Sequence, residues 1–127
     1  MAAPNIINVT SVIPHTVSIS PADVARNSLV AAPSTNQAHK INTIIVANVD
    51  ESTAYNCTVE LLLTDGTTYR PIANTVTVPA KGTVTVLDKT KSLYLFDTSV
   101  TGEAVSIHAT TESASKLTFT CSYETLS

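Results

Sequence analysis

Three histidines, two cysteines and ten carboxylates are the side chains of this 127-residue chain with the reach for acid–base, nucleophilic or metal chemistry. The histidines, His15, His39 and His108, stand far apart, in no HxH or HExxH arrangement and with no cysteine beside them. A zinc site would need ligands that the fold alone gathers. His108 lies between Ile107 and Ala109, opposite an apolar set, and is expected in solvent. His39 stands beside Lys40 at the start of a strand and is expected to be exposed. The carboxylates fall mostly in predicted turns, where they accept from local backbone donors. No close pair shares a strand face, as glycosidase chemistry would require. Three glycines are too few for a phosphate-cradling loop, and Ser28 and Ser92 lack the setting of a nucleophile elbow. The expectation is a protein that is not an enzyme, with no catalytic, cofactor-binding or metal-ligating residue and no cofactor.

Cys57 and Cys121 each sit in an apolar alternation. Tyr55, Cys57, Val59, Leu61 and Leu63 share one face; Leu117, Phe119, Cys121 and Tyr123 share another. Both thiols are expected to point inward. Two outcomes stay open: inert buried thiols, or an inter-sheet disulfide as in immunoglobulin domains, although the core Trp of those domains is missing.

These side chains must be positioned by strands. Charged residues are 13% of the chain and aromatics 5%, while Thr, Ser and Val abound. β-Branched residues favour strands. The net charge of −3 offers no footprint for nucleic acid or anionic membrane. No apolar run is long enough to span a bilayer, and the N-terminal residues do not read as a secretory signal, so folding in a reducing cytoplasm is expected.

Period-two alternation runs through most of the chain. Thr75–Val86 reads as a hairpin of two Thr/Val strands joined by Pro79-Ala-Lys-Gly82, with Gly82 free to take φ > 0. His15–Ser20 is a strand, and Ser20–Arg26 a loop or single turn. His39–Val49 is the strongest strand, and apolar residues on both faces make it central or doubly covered. Ile41, Thr43, Ile45 and Ala47 are expected on one face, and Asn42, Ile44, Val46 and Asn48 on the other. Tyr55–Thr64 turns at Asp65-Gly66, a two-residue hairpin signal, into a return over Thr67–Ile72 that Pro71 makes an edge strand or breaks. Strands over Ser92–Phe96, Glu103–Thr110 and Lys116–Glu124 complete the pattern. The predicted fold is all-β: an antiparallel β-sandwich or jelly roll of about eight to ten short strands with negligible helix. Residues 1–14 are read as an N-terminal arm or edge strand, and 15–127 as one sandwich domain.

The stretches Lys40–Asp50, Val78-Pro79 before a Thr/Val strand, Ser92-Leu-Tyr-Leu95 and Cys121-Ser-Tyr-Glu124 resemble the small β-sandwich virion structural proteins of tailed bacteriophages. The resemblance spans about residues 37–127 and carries no catalytic motif. It implies a virion protein assembled in the host cytoplasm. The expected form is a capsid cement (decoration) protein that oligomerises, as a trimer, with a major capsid or other virion protein as partner. A neck, tail or baseplate component is the alternative. A glycan-binding or host-surface module is a further one, although Tyr69 and Tyr94 are expected to serve cross-strand packing. Neither nucleic acid nor membrane is an expected partner. The candidate partner-binding residues are Ile6, Ile7, Val9, Val12 and Ile13, five apolar side chains in a terminal segment without clean alternation.

Overall fold

A computed structural model describes residues 9–127. Nine strands follow one another: β1 (Val12–Ile19), β2 (Asn27–Val30), β3 (Ala38–Asn48), β4 (Tyr55–Leu63), β5 (Tyr69–Val78), β6 (Thr83–Leu87), β7 (Leu93–Phe96), β8 (Ala104–Thr111) and β9 (Leu117–Leu126). The helical content of the described residues is one 3-10 turn, Lys89–Lys91, capped by Asp88. The chain is all-β, as its alternation predicts.

The strands form two antiparallel sheets. In the first the order is β1-β9-β3-β6, with β7 also on β3; in the second it is β2-β8-β4-β5. β6 and β7 share one edge of β3, β6 along Ile44–Ala47 and β7 along Ala38–Ile41. The pairing is nested. β4 pairs with β5, β3 with β6 and β7, β2 with β8, and β1 with β9. The chain is thus one long hairpin bent at the β4–β5 loop and rolled so that successive pairs fall in alternate sheets.

That roll overturns the reading of Thr75–Val86 as one ribbon. Val78 ends β5 in the second sheet and Thr83 opens β6 in the first, so Pro79–Gly82 carries the chain between sheets. The turn itself is real: the Gly82 amide donates to the Pro79 carbonyl at 2.9 Å. The left-handed residue, however, is Lys81, at φ 58°, and not Gly82. Gly82 is needed for a different reason, since a Cβ there would lie 2.6 Å from Pro79 Cγ. The crossing is clasped to the end of β3, with the Asn48 amide on the Gly82 carbonyl at 2.9 Å and the Lys81 amide on the Asp50 carbonyl at 3.0 Å. The buried Asn48 side chain completes the corner, donating to the Thr53 and Val78 carbonyls and accepting from the Asp50 amide.

β3 is central, as expected, but its faces are not those the alternation predicts. The pairing with β9 shifts between Ile41 and Thr43, leaving Asn42 as the extra residue of a bulge. Ile41 and Ile44 therefore both face the core, while Ile45 is 36% exposed. At Asp65-Gly66 the hairpin is present with a longer loop, closed by the Leu63 amide on the Thr68 carbonyl at 3.0 Å. Asp65 accepts from the amides of Thr67 and Thr68. β5, with Pro71, is an edge strand, the first of the two expected outcomes, and it is not broken there but runs on to Val78.

The inner faces interdigitate around Phe119, Leu117, Ile41 and Ile44 from the first sheet and Val59, Ile107 and Val30 from the second. Each such side chain contributes roughly 1.5–3 kcal/mol by leaving water. Among the described residues every buried side-chain polar atom has a hydrogen-bond partner.

Candidate functional site

Of the five candidate partner-binding residues, Ile6 and Ile7 lie outside the described residues. Val9 is half-buried just ahead of β1. Val12 and Ile13 stand in β1 itself and are 51% and 50% exposed. Residues 12–14 thus continue the strand read as His15–Ser20, and β1 is an edge strand of the first sheet.

Geometry defines what that edge presents. Ser11 and Ser127 exchange both backbone hydrogen bonds, at 3.2 and 3.1 Å, and the β1–β9 register runs on from Val12↔Leu126 to Ile19↔Phe119 without a shift. In an antiparallel ladder, bonded and non-bonded pairs alternate. Ile13, His15, Val17 and Ile19 therefore bond to β9, while Val12, Pro14, Thr16 and Ser18 turn their backbone groups away from it. Pro14 falls where its missing N–H costs the sheet nothing, as proline in an edge strand must.

The side chains of β1 divide between two surfaces. Val12 borders a shallow groove shared with Val9, Lys40, Tyr94, Glu124 and Leu126. On the opposite face His15 stacks on Tyr123, centroids 4.8 Å apart and planes at 21°, and Tyr123 meets His39 at 4.8 Å. His39 is only 8% exposed, and its Nδ1 pairs with Thr125 Oγ1 at 3.0 Å. This corrects the expectation of an exposed His39: Tyr123 and Thr125 of the neighbouring β9 pack against its ring. Burial, with His15 nearby, lowers its proton affinity below the ordinary histidine value.

A second cluster joins Arg26, just ahead of β2, to β4, β5 and β8. Arg26 Nε donates to Glu60 Oε1 at 2.9 Å, and its guanidinium lies 3.5 Å over the Tyr69 ring. Tyr69 meets His108 edge-on at 5.5 Å, and His108 Nε2 pairs with Ser106 Oγ at 3.0 Å. His108 is half-buried rather than solvated, because Tyr69 covers it, and burial followed by the Arg26 charge lowers its proton affinity. Tyr69 packs across strands as expected. Arg26 occupies one face of that ring. Sequence reasoning missed this cluster because its members come from distant stretches of the chain, and no local spacing signals it.

Among the described residues no group of three or more His, Cys, Asp or Glu side chains could hold a metal ion. No helix among them is long and apolar enough to cross a membrane. Cys57 and Cys121 are free thiols, 2% and 0% exposed, and burial pushes them up to about 11 and about 12. They therefore stay protonated and unreactive in the folded protein.

The class that this architecture defines is the antiparallel β-sandwich. The sequence matches no protein-family model and no curated protein. Among solved structures the chain is similar to the Bacillus endospore appendages described as a novel family of disulfide-linked pili. The TM-score is 0.52 at 13% identity, over all of this chain and 96% of that one. It is also similar to the Drosophila NLP core, a study of pentamer formation and histone binding, with a TM-score of 0.47 at 15% identity over 87% and 96%. The virus-like particle of the extra small virus of the prawn Macrobrachium rosenbergii gives a TM-score of 0.45 at 12% identity over 98% and 83%. The first likeness shows the shared fold alone, and the other two, below 0.5, carry no argument. None of the three is a tailed-phage protein.

Proposed function

We propose that the chain is a non-enzymatic structural subunit of a virus particle that associates with copies of itself. Its role is that of a cement protein on the capsid lattice, with a major capsid protein as partner. The observation that carries this reading is the nested roll, with β1 as an open, partly apolar edge. Two sheets of five and four strands, with first and last strands adjacent, resemble the order of a jelly roll, an architecture common in capsid proteins and also in lectins and cupins. The step from architecture to particle is analogy. Support at the level of residues comes from Val12 and Ile13, half in solvent on that edge.

Two specific observations weigh against neighbouring readings. A disulfide-linked fibre needs accessible thiols, whereas Cys57 and Cys121 are buried. A glycan-binding module needs an open aromatic face, whereas Arg26 occupies one face of Tyr69; Tyr94, half-exposed beside Val12, is the aromatic left to such a module. A neck, tail or baseplate part remains the second structural reading, and copy number separates it from cement. Quantitative mass spectrometry of purified particles should give a copy number commensurate with the capsid lattice, and attachment that survives reductant. A few copies per particle would favour a neck or baseplate part. No copies, together with saturable glycan binding by the isolated protein, would overturn the proposal.

A further inference from the structure

We infer that β1 is an acid-released strand: protonation of His15 and His39, the imidazoles that flank Tyr123, frees β1 from β9 while the rest of the sandwich stays folded.

His15 stands in β1, Tyr123 in β9 and His39 in β3, so the three rings form a row across three neighbouring strands. Each imidazole has its centroid 4.8 Å from that of Tyr123. His39 is nearly buried beside Tyr123 and Thr125, and His15 closes the row from the exposed edge. An imidazolium away from water needs a counter-charge. The elements packed around the row supply none. β2 and β7 carry no charged residue, and β1 has no titratable group besides His15. In β3 and β9 the charged residues are Lys40 and Glu124, which line the groove on the opposite face with Tyr94. Glu124 there accepts from the Asn42 amide group. Burial keeps Tyr123 and the Cys121 thiol protonated. Asp97, one residue past β7, accepts from the Asn36 amide and from Ser99. The Ser127 carbonyl, one residue past β9, is taken by the amides of Thr10 and Ser11.

Two charges on this row therefore repel across Tyr123 with nothing to offset them. The least costly relief is to detach the element held least. No side chain of β1 is fully buried, and its contribution to the core is Val17 and Ile19, both half-buried. As an edge strand it leaves by breaking one ladder, whereas β3 or β9 would break two or more. Elements with little buried apolar surface open well below the cost of global unfolding. Release carries His15 away from His39 and opens Tyr123, and His39 behind it, to water.

Amide exchange of the full chain, followed by nuclear magnetic resonance and expressed as protection relative to free peptide, tests this. Protection of the His15, Val17 and Ile19 amides, which bond to β9, should fall about tenfold or more between about pH 7 and about pH 5. The amides of β4 and β8 should keep theirs. His39→Gln retains a hydrogen-bonding side chain but no titrating one, and should hold the protection of β1 constant over that range. His15→Gln should lessen the fall, and so should added salt on the unaltered chain, because it screens the two charges. If His39→Gln does not fold, His15→Gln and the salt series decide. A loss shared by every strand overturns the inference, because the whole domain is then opening. Constant protection of β1 in the unaltered chain overturns it too, since His15 then swings into water alone. A fall that persists in His39→Gln, or one that neither His15→Gln nor salt alters, assigns the release to another group and also overturns it. None of these outcomes depends on attachment to particles, so this inference and the proposed function stand or fall separately.

Discussion

At the scale of single residues, the buried imidazoles link stability to pH. His39 has its folded proton affinity lowered by burial and then by His15, and His108 by burial and then by Arg26. The unfolded chain binds these protons at the ordinary histidine value near 6.5, where the folded chain does not. Stability should therefore fall as pH drops from about 6.5 towards the lowered folded values, and then level off. Asp50 and Asp65 are held at about 2, Asp50 chiefly by the amides of Ser52 and Thr53, Asp65 by the Thr68 hydroxyl and the amides of Thr67 and Thr68. Their contribution persists above 3.8, the unfolded value, and is lost as pH falls to about 2, giving a second, separate decline. Urea melts across this range should show both steps, and His39→Gln should diminish the first and leave the second. A first step unchanged in His39→Gln would assign it elsewhere. The expectation of exposed histidines failed because exposure was read from each residue's own strand. What covers His39 and His108 are Tyr123 and Tyr69, each from a strand distant in sequence.

At the scale of elements, the face assignment of β4 gives a sharp contrast. Val59 is fully buried, while Thr58 is half-exposed and accepts from the Thr75 amide at 3.1 Å. Val59→Asp buries an unpaired carboxylate, at a cost of several kcal/mol, comparable with the stability of a whole domain. Thr58→Asp keeps an acceptor for Thr75 and should shift the melt by only a few degrees. Circular dichroism melts of the two variants check this, and similar melting temperatures would place the faces in error by one residue. The crossing between sheets gives a second pair. Gly82→Ala forces a contact with Pro79 and should cost about 1–3 kcal/mol. Lys81→Gly relieves a left-handed residue and should be neutral or stabilising by up to about 1 kcal/mol. Equal effects in denaturant melts would contradict this account of the turn. These positions also mark how far the sequence speaks for itself. Alternation located nearly every strand, because it reflects which side of each residue meets the core. It did not show that Thr75–Val86 spans two sheets, since a turn closed by Pro79 and Gly82 looks the same locally whether its strands pair with each other or diverge. Nor did it reveal the bulge at Asn42, which flips the faces of half of β3. Of the candidate site, the apolar character of Val12 and Ile13 was legible. The outward-facing backbone that gives it meaning follows only from the pairing with β9.

At the scale of the whole molecule, β9 lies between β1 and β3, so the first sheet depends on the strand made last among those described. A chain ending at Ser115 should keep the β4–β5 hairpin sequence and yet show no cooperative melt, because β1 then has no partner and Phe119, Cys121 and Leu117 leave the core. A cooperative transition in that truncated chain would show that the second sheet stands alone. The nesting has a consequence in time as well. Pairs closed by ever longer loops pay rising loop-closure entropy, so the pairing order in refolding should run outward from β4–β5 and finish with β1 on β9. On the ribosome β1 waits unpaired until β9 has emerged, a window in which it is exposed to wrong partners. Pulse-labelled amides in refolding should therefore become protected in β4 and β5 first and in β1 last, and a chaperone that holds extended strands should bind the nascent chain until synthesis passes β9.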